Sequence, residues 1–434
     1  MKSNKVLSRD LANQRTTSPK DQQRQLAEQR GIGKLPPNAT SPLKSRSSEL
    51  LDALFSENNI REVSKRLQRK RKRKDCQESE EKEESTPGID GVTVSEFFHE
   101  VQTHIESLRK DIEKEQYQPL PSKGIQIPKP ESAEMRTIYI PTVRDRFIQG
   151  LYAGVAGPII DSRFLDSSWA YRNNRNCQQA VARASQIIRN GKNVVLHLDI
   201  ERCFDSIGRA RVIDLLFKMA PELENRTMRY LLRKFIYAGY DIEGGRTVGG
   251  KGKGIGIPQG NPISPLLSNV YLHPLDHFME EQQWEALRYA DDVRVFFRTE
   301  EEASGATERI EKFLNRKLKL SLNPEKTRVI DTESELAKFL GFGLDGQGRI
   351  HIHPDSILKY GRKIRKIHTE GRKAKKPISV ETLQQSISSW CGYFQIAEVT
   401  PDLKEIDAEL HRLNPRLMNA ATKAWRRQES RNQI

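Results

Sequence analysis

The most continuous apolar run in the chain is Asn193-Val194-Val195-Leu196-His197-Leu198-Asp199-Ile200, and it predicts a buried strand that ends on a carboxylate. A second β-prone stretch, Arg288-Tyr289-Ala290-Asp291-Asp292-Val293-Arg294-Val295-Phe296-Phe297, holds two adjacent carboxylates between apolar runs. It reads as a strand, a two-residue tip and a returning strand. Helical spacing appears from near Ser48 (Leu50, Leu51, Leu54, Phe55) to about Leu67, and again around 94–115. Further helices are predicted through Phe147, Leu151 and Val155, through Val212 to Met219, through Leu266 to Leu275, and from Glu301 to about Leu318. Leu320 to Ile330 predicts a turn and a strand, and Phe339-Leu340-Gly341-Phe342 closes that αβ unit. Ile127-Pro128-Lys129-Pro130 with Arg136-Thr137-Ile138-Tyr139-Ile140-Pro141 predicts a short hairpin carrying a Lys and an Arg. The glycine-dense stretch 243–260 predicts a hairpin and then a loop that lets backbone approach a ligand. From His353 the pattern is helical and basic, and one final amphipathic helix carries Leu410, Leu413, Leu417 and Trp425.

Composition divides this pattern into regions. Residues 1–47 are polar and read as an extension that is mostly disordered or loosely helical. Residues 48–85 hold the first helix and a charged low-complexity insert, in which Lys65 to Lys74 is basic and Glu78 to Glu84 acidic. The insert either touches RNA phosphates or neutralises itself. An α/β region over 86–345 and a basic helical region over 353–434 follow. The chain has 434 residues, with 73 Lys and Arg against 58 Asp and Glu, a net charge of +15. That excess favours a polyanion, most simply nucleic acid, over the alternative of a merely soluble basic protein. The four cysteines (Cys76, Cys177, Cys203, Cys391) form no C-x-x-C pair, so neither a zinc site nor a disulfide framework is indicated. A reducing, intracellular compartment is expected, the cytoplasm of a bacterium or the interior of an organelle. No apolar run approaches a membrane span, and the start, Met1 to Lys5, lacks a secretory apolar core.

The residues suggest a chemistry. A carboxylate ending a buried strand needs a cation or a metal as partner, whereas Asp205 reads as a helix cap. An Asp-Asp pair is either a solvated turn or part of a metal site. If a small sheet brings Asp199 together with Asp291 and Asp292, three carboxylates suit two hard divalent cations, Mg²⁺ first with Mn²⁺ as a substitute. Such a site activates a 3′-hydroxyl and stabilises a departing pyrophosphate. Lys129 and Arg136 then either hold the triphosphate or form a solvated hairpin. Phe204, a few residues past Asp199, is placed to exclude a 2′-hydroxyl. Gln259 is placed to contact the incoming nucleotide or the template. In the basic C-terminal region the aromatics read as core and the cations as the binding face.

Taken in order, the motifs resemble the reverse transcriptase family, specifically its group II intron and group II-like branch. The residues that carry the resemblance are Pro87-Gly88-Ile89-Asp90-Gly91, Arg136 with Ile140-Pro141, Asp145-Arg146, Leu198-Asp199-Ile200 and Phe204-Asp205. They continue with Ile257-Pro258-Gln259-Gly260 through Asn269, Tyr289-Ala290-Asp291-Asp292, Lys326-Thr327, Leu340-Gly341-Phe342 and Trp390 to Phe394. The resemblance implies an α/β (α+β) right-hand polymerase, with fingers and a ferredoxin-like palm followed by an α-helical thumb. It implies Mg²⁺, dNTPs, an RNA template and a DNA or RNA primer. Tyr289 would then floor the primer end and Lys326 would contact primer or template. After the thumb-like segment neither a DNA-binding domain nor a Cys/His-rich endonuclease follows, which favours a free-standing enzyme. Asn261 stands where a Gly is expected. The alternatives are a maturase-type protein that assists an intron RNA, or the same chemistry in a defence or CRISPR-linked system.

Overall fold

The computed structural model describes residues 43–69, 85–128, 135–242, 246–248, 254–373 and 379–432. The extension up to residue 42, most of the charged insert (70–84) and Lys129 lie outside the described residues. Contacts divide the chain into residues 1–46 and 47–434; of the first unit only the opening of one helix is described.

Two helices replace the single one expected before the insert: α1 (Leu43–Leu54) and α2 (Glu57–Leu67), with Ser56 in extended conformation between them. The helix expected over 94–115 is likewise two, α3 (Val94–His99) and α4 (Val101–Glu113), broken at Glu100. Thr93 and Glu96 close a capping box at the start of α3. The basic hairpin is β1 (Ser122–Pro128) and β2 (Met135–Ile140), and it leads into α5 (Val143–Asp161). Asp145 in α5 is buried and accepts from Tyr117 (2.6 Å), Thr142 (2.8 Å) and the Leu120 amide (3.1 Å), so this motif residue joins α5 to the strand entry.

After α6 (Cys177–Arg189) comes the strongest strand of the sequence, β3 (Val194–Asp199). The chain continues through α7 (Cys203–Ser206), α8 (Arg209–Met219), α9 (Arg226–Ile236) and the hairpin β4 (Tyr240–Ile242) and β5 (Arg246–Val248). Then follow α10 (Ser264–Glu281), β6 (Glu285–Tyr289), β7 (Asp292–Phe297), α11 (Glu300–Phe313) and β8 (Arg328–Asp331). The central sheet has the order β6-β7-β3-β8 and is antiparallel throughout. A second sheet, β2-β1-β4-β5, pairs the basic hairpin with the glycine-flanked one, a junction that local pattern does not reveal.

Alternation along the central strands separates two cores. Val194, Leu196 and Leu198 of β3, with Val293, Val295 and Phe297 of β7, face a large core under α5, α8, α10 and α11. Val195, Phe296 and Ile330 face the other core. Residues Phe339 to Phe342 do not close the αβ unit as expected. They turn between β9 (Ala337–Phe339) and β10 (Phe342–Leu344) of a separate three-stranded sheet completed by β11 (Ile350–Ile352). Against this second core pack α12 (Pro354–Lys373), α13 (Val380–Tyr393), α14 (Lys404–Leu413) and α15 (Ala420–Asn432). The single final helix expected is thus two, because Pro415 opens a short 3₁₀ turn between them. Phe394 and Trp425 are buried there, and Trp390 is partly so.

Candidate active site

The face of the central sheet that begins apolar at Val195, Phe296 and Ile330 changes character along the strands. Val195 is paired with both Phe296 and Ile330, and His197 with both Arg294 and Arg328. Asp199 lies directly opposite Asp292. Cross-strand partners share a face, so two carboxylates stand side by side at the strand ends. Like charges so placed repel, and cations one pleat behind offset them. The buried Arg294 guanidinium is hydrogen-bonded to Asp292 and also donates to Lys338 O at 2.7 Å. His197 Nε2 lies 3.6 Å from Asp292 Oδ1. Burial and the neighbouring Arg294 hold the His197 imidazole down at about 3, so it is neutral and the positive charge comes from Arg294 and, around it, Arg328, Lys338 and Lys326.

The hairpin tip falls one residue earlier than the pattern suggests. Tyr289 pairs with Asp292, which leaves Ala290-Asp291 as the two-residue turn. Ala290 has φ +62, the conformation a hairpin turn of this kind ordinarily gives to Gly. Arg288 holds the turn in place. Its side chain is fully buried, and all five of its N–H donors are used. Two go to Asp276 (2.7 and 2.6 Å), and the others to Asn269 (2.8 Å), Ser168 (3.0 Å) and the Ala290 carbonyl (3.1 Å).

The tip geometry sends the two neighbouring carboxylates different ways. Asp291 and Asp199 line one cavity of about 660 Å³, together with Arg136, Tyr139, Phe204, Asp205, Gln259 and Lys326. Asp292 remains on the sheet face against Arg294. Burial, then Asp292 and Asp199, raise the Asp291 carboxyl, which Arg136 partly counters. Burial also raises Asp292, against the pull of Arg294. Among the described residues no three His, Cys, Asp or Glu groups come close enough together to hold a metal. The donor chemistry nonetheless fits a hard divalent ion: three carboxylates, Asp199, Asp205 and Asp291, line one cavity, and Asp292 on the next residue adds to a local excess of negative charge.

Arg136 on β2 lines the same cavity and its charge acts on Asp291, while Lys129 lies outside the described residues. Phe204 stands on α7, its carbonyl accepting from Ile257 N (2.9 Å). Asp205 does not cap a helix as expected. It is the third residue of α7, whose cap position is Arg202 at φ +43, and it lines the cavity instead. Gln259 is fixed through backbone: its carbonyl accepts from Tyr139 N at 2.7 Å. Gly260 follows at φ +113, and a Cβ there would stand 2.4 Å from Tyr139 O, so only glycine permits the approach. Asn261 is buried, and neither end of its amide has a partner among the described residues.

Lys326 is carried by the loop after Ser321, which wraps the end of β3 through Glu201 N to Ser321 O (2.9 Å) and Asn323 N to Asp199 O (2.8 Å). Its Nζ lies 3.7 Å from Asp199 Oδ2. Tyr289 is not among the cavity-lining residues; its hydroxyl lies 3.1 Å from Cys177 Sγ, and its ring packs against the second core. Sequence reasoning missed Arg294 and Arg288. Arg294 was open to detection, since residues i and i+2 of a strand share a face. The Arg288–Asp276 pairing joins a strand to a helix and leaves no local signal.

Residues 127–344 match the family described as Reverse transcriptase (RNA-dependent DNA polymerase). Protein YkfC of Escherichia coli (strain K12) is 28% identical over 282 residues, covering 56% of this chain and 72% of that protein. The group II intron-encoded protein LtrA of Lactococcus lactis subsp. cremoris is 26% identical over 349 residues, 65% of this chain and 55% of LtrA. An uncharacterized 91 kDa protein in the cob intron of Schizosaccharomyces pombe is 32% identical over 178 residues, 41% of this chain and 21% of that protein. The chain therefore spans about half the length of LtrA and a smaller part of the cob intron protein.

Proposed function

This chain belongs to the reverse transcriptase family, the RNA-dependent DNA polymerases, and we propose that it adds dNTPs to a primer 3′ end on an RNA template in the manner of the group II intron-encoded branch. Its fold is that of a right-hand polymerase, mixed α/β fingers and palm followed by a helical thumb. We assign the fingers and palm to residues 86–345, with the β6-β7-β3-β8 sheet as palm, and the thumb to 353–434. The observation that carries the proposal is the single cavity lined by Asp199, Asp291, Arg136, Phe204 and Gln259.

Members of this family work with divalent metal ions. Asp199, Asp291 and Asp292 would hold Mg²⁺, with Mn²⁺ as a substitute. Bound there, the ions would supply the positive charge that favours a deprotonated 3′-hydroxyl and a departing pyrophosphate. The protein's own groups provide position and charge around that step. Arg136 offers a planar fork to the triphosphate within the cavity that Asp199 and Asp291 line. Phe204 fills the space beside the sugar and disfavours a 2′-hydroxyl. Gln259, held by its backbone bond to β2, faces the incoming nucleotide or the template base. Lys326, beside Asp199, takes a backbone phosphate of primer or template. No helix among the described residues is long and apolar enough to cross a membrane.

Primer extension on an RNA template with Mg²⁺, comparing dNTPs with NTPs, tests the proposal. The expected result is dNTP incorporation that Asp291→Asn abolishes. A purified protein that binds structured RNA tightly yet does not extend a primer would overturn it in favour of an RNA-folding, maturase-type role.

A further inference from the structure

Beside the Ala290-Asp291 turn runs a segment to which the chemistry above gives no role. Arg288 N donates to Ser167 O (2.7 Å) and Trp169 N donates to Arg288 O (2.8 Å), so residues 167–169 lie parallel to β6 as an added edge. Asn269, which donates to Ala170 O and accepts from the Arg288 guanidinium that also holds the Ala290 carbonyl, ties the residue before Tyr171 to the turn that carries Asp291. The charges of Asp291 and Arg136 both act on the Tyr171 phenol.

The flanks of Tyr171 are pinned. Asn269 Nδ2 donates to Ala170 O at 2.7 Å. Arg172 donates to Asp161 Oδ1 (2.8 Å), Asp161 O (2.9 Å), Leu165 O (2.7 Å) and Ser168 O (3.0 Å). Between these anchors Tyr171 is held at φ +59, where a bulky residue is an outlier. It is nevertheless 57% exposed, so packing returns little for the strain. An over-determined, strained backbone that holds an exposed aromatic beside the carboxylates is the pattern expected of a preorganised contact.

Resting on the polymerase reading, we propose that the Tyr171 ring is the stacking platform for the base of the primer's terminal nucleotide. The primer end is chosen because the 3′-hydroxyl must reach the carboxylates, and Tyr171 follows a residue tied to the turn that carries Asp291. An aromatic face accepts any base, which a polymerase copying arbitrary sequence requires.

The experiment measures binding by fluorescence anisotropy with two duplexes of RNA template and recessed DNA primer. One is intact and the other carries an abasic residue at the primer terminus. Tyr171→Ala is expected to weaken binding to the intact duplex about ten-fold and to leave binding to the abasic duplex unchanged. Tyr171→Phe is expected to restore the intact duplex, since the ring and not the hydroxyl makes the contact. Tyr171→Gly is expected to melt above Tyr171→Ala, because glycine suits φ +59, while losing the same affinity. Equal affinity of Tyr171→Ala and wild type, equal loss on both duplexes, or affinity that follows melting temperature would each overturn the platform. Primer extension by the wild type keeps those outcomes specific to Tyr171. Failure of the wild type both to extend and to bind overturns the polymerase reading and the platform together.

Discussion

Replacing Asp276 by Asn should unseat the hairpin that carries Asp291 without touching the cavity. The side chains of Asp276 and Arg288 are both fully buried, and the guanidinium donates two of its five bonds, at 2.7 and 2.6 Å, to this carboxylate. Removing the anion leaves a guanidinium with no counter-charge in a region that water does not reach. Breaking one partner of a buried pair costs about 3–5 kcal/mol, mostly the desolvation of the survivor. The comparison is Asp52→Ala, whose partner Arg109 lies 2.5 Å away with 42% and 61% of the two side chains exposed. Screening and side-chain entropy hold that loss below about 1 kcal/mol. Urea unfolding followed by circular dichroism measures both variants. The double variant Asp276→Leu with Arg288→Met removes both charges and should be less damaged than Asp276→Asn alone. Because Arg288 also holds the Ala290 carbonyl, Asp276→Asn should lower kcat more than it raises the KM for dNTP. An Asp276→Asn protein within about 1 kcal/mol of wild type would refute the claim that this pair anchors the hairpin.

Three further outcomes follow from the site. Asp291→Asn should be inactive yet melt above wild type at neutral pH without divalent ions. Its carboxyl is raised in the fold, so its contribution to stability is present at low pH and is lost as pH rises through that raised value. The gap between the two proteins should therefore close on acidification, and thermal melts across pH check it. Gly260→Ala should cost roughly 1–3 kcal/mol and raise the KM for dNTP, since its Cβ meets Tyr139 O at 2.4 Å and Gln259 must shift. Phe204→Ala should increase ribonucleotide incorporation, read as the ratio of kcat/KM for NTP and dNTP; an unchanged ratio would remove Phe204 from the sugar-gate role.

Local chemistry in the sequence determined which segments carry the site. The apolar run up to Asp199, opened by Val194 and Val195, forms a strand as its pattern predicts, and the apolar runs around Asp291-Asp292 form a hairpin. The excess of cations and the family motifs were likewise present in the chain before any folding. Pro415 sets one break that periodicity alone ran through, and the breaks at Ser56 and Glu100 come without a side-chain cap. Tertiary structure alone decided the register that places Asp199 opposite Asp292 and leaves Asp291 at the tip. A shift of one residue would have exchanged the faces of every side chain on the strand, and that choice rests on how two cores fill on opposite sides of the sheet. The Arg288–Asp276 fork, the closure of Gly260 on Tyr139 and the left-handed Tyr171 beside Asp291 belong to the same class. Each depends on segments distant in the chain meeting at hydrogen-bond range, and no local periodicity records such a meeting.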